Sequence, residues 1–512
     1  MHKLRRRSLP RHLPINFLPN LTLEPPMPFD FSSPFKQPLG RWALAVTTVA
    51  FLSGCADFAG IVPSAQVLDG KSLGLRPTLA TSTNTPDTKI PSQSPWWDAY
   101  QDPQLSQLVE TALRDNPSLR IAQARLARAQ AFGEATDSAG KPQLNASLDM
   151  TRQRFSANGI YPPPLGGNVY DIANLQATAS WDLDLFGKHR AALDAAVGQT
   201  RAAQADAQAA RLLIASQVVR AYFSLGRLQA QNVSLQRSLA QREQLLSLVQ
   251  ERVKAGVDTQ LELSVSSASL PEVRQMLEAN QEQQALTRNA LAALSGQAAA
   301  HISSAKLPIA SSQTLADTPA IPIDLLGRRA DIAASQWRIS AALSDVQNAK
   351  TQFYPNINLV AFTGLNSLGF DRLMNTGSDQ WSVGPAVRLP LFDAGRLKAQ
   401  LRGKTADLDA AVESYNALVL EAVREVADQI ASARGIALQT TQQQAALSHA
   451  QTAYAIAQQR YQAGLGNYLN VLNLETAVLT QQRQAIDLAA RAADTQVQMI
   501  RSLGGGFTPE TP

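Results

Sequence analysis

Two stretches of this chain, His189 to Lys254 and Gly395 to Gln462, contain no proline. Both are rich in Ala, Gln and Leu, side chains that suit helix interiors. At 1.5 Å per residue, an unbroken helix of that length extends for about 100 Å. No compact globule encloses such a rod, so the fold is elongated. Hydrophobic residues make up 45% of the chain but aromatic ones only 6%, so alanine supplies much of the apolar character. That balance suits closely approaching helices better than a bulky core. Leu235, Leu239, Leu246, Val249 and Val253 fall at heptad-like spacing and predict a narrow coiled-coil seam. An ordinary antiparallel bundle has the same periodicity. Short glycine turns, Ala255–Thr259 and Ala463–Tyr468, reverse each rod into a return helix. Pro271 is expected to kink or restart the first return helix.

The chain repeats itself. Asn116–Ala122 parallels Gly327–Ala333, and Lys141-Pro142-Gln143-Leu144-Asn145 parallels Tyr354-Pro355-Asn356-Ile357-Asn358. Leu183-Asp184-Leu185-Phe186 parallels Leu389-Pro390-Leu391-Phe392, and Arg252-Val253-Lys254-Ala255-Gly256 parallels Arg460-Tyr461-Gln462-Ala463-Gly464. The matches keep their order at offsets of about 206 to 213 residues. Each unit reads helix, strand, strand, long helix, turn, helix. The expected division is a first repeat at 96–297, a linker at 298–322, a second repeat at 323–506 and a tail at 507–512.

The strands alternate strictly. Leu144, Ala146, Leu148 and Met150 interleave with Gln143, Asn145, Ser147 and Asp149. The same period of two runs through Asn174–Leu185 and Trp381–Leu391, and less cleanly near Asn356–Leu365. A soluble antiparallel sheet alternates in the same way. Strands of about ten residues with carboxylates on one face also fit a membrane barrel. Phe155–Tyr170 and Asn366–Gln380, rich in Gly, Pro and Asn, read as exposed loops. Four strands cannot close a barrel, and lipid does not tolerate an open sheet edge. Spanning strands must therefore be pooled between subunits, eight from two chains or twelve from three. Asp149, Asp182, Asp184 and Arg388 on the polar face require a wet lumen, which favours three.

The start of the chain reads as an export signal. Trp42–Leu52 has the length of a signal-peptide core, Lys36 and Arg41 flank it, and Leu52-Ser53-Gly54-Cys55 follows. Small residues before a cysteine at that point resemble the bacterial lipobox, whose cysteine becomes the lipidated N-terminus. The alternative is a secretory signal with an incidental cysteine. Residues 1–54 form the expected leader, with Met27 a plausible translation start, and 55–95, rich in Pro, Ser and Thr, form an extended tether. Ala56 after the cysteine implies, by the same resemblance, export to the outer membrane. The chain has 46 basic and 41 acidic residues; the leader holds the surplus, and the two signs balance beyond it. If the leader is cleaved, the chain lacks the basic surplus that a nucleic-acid binder needs. One cysteine excludes a disulfide framework and multi-Cys metal sites.

The mature chain resembles the TolC/OprM-like outer-membrane efflux factors, in particular their NodT-type lipoprotein branch. The resemblance rests on Trp96-Trp97-Asp98-Ala99-Tyr100-Gln101-Asp102-Pro103, Ser180-Trp181-Asp182-Leu183-Asp184-Leu185-Phe186-Gly187 and Leu326-Gly327-Arg328-Arg329-Ala330-Asp331-Ile332. Phe353-Tyr354-Pro355-Asn356-Ile357, Leu389–Arg396 and Leu503-Gly504-Gly505-Gly506 extend it nearly to the end. Where the family usually has proline, this chain has Ala330. The resemblance implies a fold that joins α-helices to transmembrane β-structure. Two repeats give four barrel strands and long coiled-coil helices per chain, and a homotrimer makes a twelve-strand barrel over an α-helical periplasmic tunnel. It implies an exit duct in a tripartite efflux system for small molecules. The partners are then a periplasmic adaptor and an inner-membrane pump, of resistance-nodulation-division type. Alternatives are the outer-membrane duct of a type I protein secretion system and a structural coiled-coil envelope lipoprotein.

By the same resemblance, Arg252, Gly256, Arg460 and Gly464 mark adaptor-contact tips, and Leu469, Asn470 and Asn473 line a periplasmic gate. Other members usually carry aspartates in that stretch, and Glu262 is the matching position in the first repeat. The glycines also read simply as helix caps. No HExxH and no phosphate loop occur, and the histidines beyond the leader lie far apart. The expectation is a channel with no catalytic residue, metal or cofactor, driven by the partner pump.

Overall fold

A computed structural model describes residues 58, 60–68, 95–299, 302, 304–308 and 328–506. The expected leader with Cys55, most of the tether and linker, and the tail lie outside the described residues. A 3₁₀ turn, Trp96–Tyr100, precedes α1 (Pro103–Asp115) and α2 (Pro117–Ala139). Strands β1 (Gln143–Arg154) and β2 (Val169–Leu183) lead into α3 (Lys188–Lys254) and α4 (Gln260–Ser295). The second repeat runs α5 (Ala330–Thr351), β3 (Asn356–Leu368), β4 (Asp379–Arg388), α6 (Arg396–Gln462) and α7 (Tyr468–Ser502). Helices α3 and α6 have 67 residues each, within a residue or two of the proline-free stretches.

Both rods start and stop by the same local chemistry. The Asp184 carboxylate accepts from the N–H groups of His189 and Arg190 at 3.0 and 2.9 Å. Asp393 accepts from Gly395 and Leu397 at 3.0 and 2.9 Å. These bonds satisfy donors that a helix start leaves open. At the far ends, Val257 N–H donates to the Arg252 carbonyl and Leu465 N–H to the Arg460 carbonyl, at 2.9 and 2.8 Å. Gly256 and Gly464 stand at φ +74° and +75° between them. This closure needs a left-handed residue, which glycine supplies without strain.

The return helix α4 runs through Pro271 without a restart. Leu270 and Val273 are buried beside it, and that packing holds the helix across the missing N–H. The coiled-coil seam also differs from expectation. The buried stripe of α3 is Ser238, Arg242, Leu245 and Val249, while Leu239 and Leu246 are only half-buried. Polar residues occupy the seam because Glu475 on α7 receives them.

The largest core surrounds the middle of the rods: Trp96, Trp97, Leu105 and Val109 pack on Val218, Val219, Tyr222 and Leu291, with Ala493 and Val497 from α7. A second cluster joins α5 to the start of α6, and a third joins the two hairpins near their turns through Leu245, Val249, Tyr461, Tyr468 and Val471.

The strands form one antiparallel sheet in the order β1-β2-β3-β4. Strand β2 begins earlier than the alternation predicted and ends at Leu183. Strand β4 ends at Arg388, before Pro390, which has no N–H for a ladder.

Candidate functional site

The register keeps the two faces of the sheet separate. Asp149 pairs with Asn174, Asn174 with Asn366, and Asn358 with both Asp182 and Ala386, all on one face. The Gln380 amide donates to Asn174 Oδ1 at 2.8 Å across that face. The opposite face carries Leu144, Leu148, Trp381, Val383 and Val387, exposed by 76, 55, 74, 62 and 63%. A contiguous apolar face of this kind marks contact with lipid or another apolar phase.

Of the four expected lumen residues, only Asp149 lies in mid-strand. Asp182, Asp184 and Arg388 gather around a hollow of about 380 Å³ at the junction of strands and helices. Asp182 accepts from Lys188 Nζ at 2.8 Å and Asn356 Nδ2 at 3.0 Å, and its oxygen lies 2.9 Å from His189 Nε2. Asp184 lies past the end of β2 and caps α3. Its placement followed from continuing the alternation through Leu185, which the strand does not do.

The turns place the tip residues unequally. Arg252 points inward: its guanidinium donates to both Asp258 oxygens at 2.9 and 3.1 Å and lies over the Tyr461 ring, 4.6 Å from the centroid. It is therefore a clamp between the two hairpins and not a free contact residue. Arg252 beside it, and then Tyr461, hold the Asp258 carboxyl below its ordinary range. Glu262 stands on the other hairpin from the asparagines and closes the α4 capping box, accepting from Thr259 N–H at 3.0 Å and from the Thr259 hydroxyl. Arg460 is exposed and lines an open hollow of about 490 Å³ with Gly466, Asn467, Leu469, Asn470 and Asn473. A Cβ at Gly256 or Gly464 would meet no atom within 4 Å, so both turns are open outward.

Two further relationships were not read from the sequence. Arg242 and Glu475 form a buried ion pair, with side chains 3 and 2% exposed and Nε 3.1 Å from Oε2. Ser238 donates to the same carboxylate at 2.9 Å, and Arg242 also donates to the Ser269 carbonyl at 3.0 Å. Burial pushes the Glu475 carboxyl up, and Arg242 opposes that shift. Separately, residues 60–68 lie along α6. Ser64 and Ala65 N–H donate to Asp409 at 2.9 and 3.0 Å, and Leu68 N–H donates to Asn416 at 2.9 Å. Phe58 meets Phe353 edge-on at 5.8 Å, close to the start of β3.

Among the described residues no cluster of His, Cys, Asp and Glu could hold a metal, and no helix is long and apolar enough to cross a membrane. A sheet with one apolar and one polar face, continuous with two paired helical rods, defines an outer-membrane channel subunit. The family profile described as "Outer membrane efflux protein" matches residues 108–297 and 321–505. The chain belongs to that family. It is 32% identical over 429 residues to the multidrug resistance outer membrane protein MdtP of Escherichia coli K12, covering 81% of this chain and 87% of that protein. It is 35% identical over 376 residues to the fusaric acid resistance protein FusA of Burkholderia cepacia, covering 72 and 70%. The crystal structure of the outer membrane protein VceC from Vibrio cholerae superposes with a TM-score of 0.76 at 36% identity, covering 81% of this chain and 99% of that one. The expected fold class, a trimeric twelve-strand barrel with an α-helical tunnel built from two repeats per chain, is the fold class of this family. The protein is an outer-membrane efflux channel.

Proposed function

We propose that three copies close one barrel and one tunnel, and that the assembly is the exit duct of a tripartite efflux system. The carrying observation is the four-stranded sheet, whose apolar face is exposed and whose β1 and β4 edges have no further partner among the described strands. Open edges are excluded from lipid, so each edge takes its partner from the next subunit. The tip turns, open outward at Gly256 and Gly464, dock a periplasmic adaptor that serves an inner-membrane pump of resistance-nodulation-division type. Cys55 carries lipid, and the docking of Phe58 near the start of β3 supports an anchor at the barrel's base. Small-molecule cargo is supported by relatives named for multidrug and fusaric acid resistance.

The test is migration of the outer-membrane fraction in SDS before and after heating. A heat-labile, SDS-resistant trimer is expected, together with increased drug susceptibility when the gene is deleted. A monomer at both temperatures would sink the pooled-barrel reading.

A further inference from the structure

We propose that the tunnel tip admits anions in preference to cations and that Arg460 sets this preference. The inference rests on the channel reading above and deepens it to the charge class of the cargo. From Gly435 to Leu474, which covers the far half of α6, the turn and the first turns of α7, Arg460 is the sole Lys, Arg, Asp or Glu. Arg460 is exposed, and its guanidinium has no ion-pair or hydrogen-bond partner among the described residues. It shares its hollow with Asn467, Asn470 and Asn473, whose amides carry no charge and offer donors as well as acceptors.

The acidic groups that could offset Arg460 are engaged elsewhere. Asp258 is held by Arg252 and Tyr461, and Glu475 is buried against Arg242; Glu262 keeps its charge but caps α4 on the other hairpin, outside the hollow that Arg460 lines. On the last turns of α3, Glu251 and Lys254 are opposite in sign. Continuing outward along the exposed side of α7, Thr476 and Thr480 are neutral, and the next charge is Arg483. Their hydroxyls donate back to the Leu472 and Thr476 carbonyls at 2.9 and 2.8 Å. A threefold assembly triples the Arg460 charge, and no carboxylate lines the hollow that it shares. Guanidinium pairs well with carboxylates, so the favoured cargo class is small organic anions, carboxylates among them.

Planar-bilayer recording of the purified full-length protein tests this. In a potassium chloride gradient the reversal potential should lie on the chloride side. Arg460→Gln should move it towards zero. Arg460→Glu, and separately Asn470→Asp with Asn473→Asp, should carry it to the potassium side. Citrate added at the periplasmic end should reduce the wild-type current severalfold and the Arg460→Gln current much less. Tyr461→Phe, which releases the clamp between the hairpins, supplies a second conducting background if the wild type opens rarely. A potassium-side wild-type potential, or one that Arg460→Gln leaves unchanged, overturns the anion preference while the channel reading stands. Failure to form any conducting trimer in either background overturns the channel reading and this inference with it.

Discussion

The Tyr461 phenol donates a 2.6 Å hydrogen bond to Asp258 Oδ2, joining the end of α6 to the turn after α3. Burial and then the neighbouring carboxylate raise the phenol above its ordinary range, so it stays a donor. Hydrogen bonds to charged groups contribute about 1.5–3 kcal/mol. Tyr461→Phe should therefore loosen the tips by about that amount without unfolding the rods. Faster amide exchange confined to the two turns is the expected readout, and unchanged exchange would show that the bond holds nothing.

The same clamp has a defined pH response. Asp258 is depressed by Arg252, so its contribution is fully present above the unfolded carboxylate value, about 3.9, and is lost as pH falls through the lower folded value. The tip should stay clamped through mildly acidic conditions and open only in strong acid. Asp258→Asn should remove that acid transition while leaving neutral-pH assembly intact. Titration of cysteine accessibility at the turns in both forms checks it.

Arg242 and Glu475 pose a different energetic problem. Both are almost fully buried, so removing one strands the other. Breaking a buried pair costs about 3–5 kcal/mol, whereas apolar replacement of both is often neutral. Glu475→Ala should lower the thermal midpoint clearly, and Arg242→Met with Glu475→Leu should recover most of the loss. Double-mutant recovery of trimer stability on heating is the measurement. An equal loss in the double variant would assign the pair a role beyond packing.

Much of this was legible in the sequence because it is periodic. Proline-free stretches bounded by glycine gave both rods nearly to the residue, and strict alternation gave the sheet. Three side-chain engagements escaped that periodicity. Arg252 and Asp184 were read along their own segment, but each is engaged by a partner that the folded chain brings near, whereas Glu262 caps its own helix through Thr259, three residues earlier. Asp184 reaches forward to the start of α3, and Arg252 reaches across to Tyr461 on the other hairpin. The buried Arg242–Glu475 pair spans two helices far apart in sequence, and no local period announces it. Tyr461, between Arg460 and Gly464 in the repeated turn motif, was the nearest available hint of the clamp.

The segment at 60–68 should behave as a strap on α6. Asp409 accepts from Ser64 N–H, the Ser64 hydroxyl and Ala65 N–H, and these bonds hold its carboxyl below the ordinary range, the Ala65 N–H first. Asn416 accepts from Leu68 N–H and donates to the Gln66 carbonyl at 2.9 Å. Asp409→Ala with Asn416→Ala should release the segment and make it several times more sensitive to limited proteolysis. Cys55→Ser should weaken anchoring yet leave this protection in place. Equal cleavage in wild type and double variant would mean the strap is not held by these two residues.

The two faces of the sheet predict opposite tolerance to charge at adjacent positions. Val383 is near the middle of β4, pairs with Ala361 and lies on the apolar face. Ser382, one residue earlier, pairs with Phe362 and lies on the other face with Asn174 and Gln380. On a lipid-facing strand, arginine near the bilayer midplane costs about 2–4 kcal/mol, while a lumen position tolerates it. In a trimer the penalty at Val383 falls three times on one barrel. Val383→Arg should therefore sharply reduce the heat-labile trimer recovered from the outer membrane. Ser382→Arg should leave its amount near wild type while altering single-channel conductance. If both substitutions reduced the trimer equally, the sheet would not divide lipid from lumen along this register. If Ser382→Arg alone did so, the assignment of the faces would be reversed.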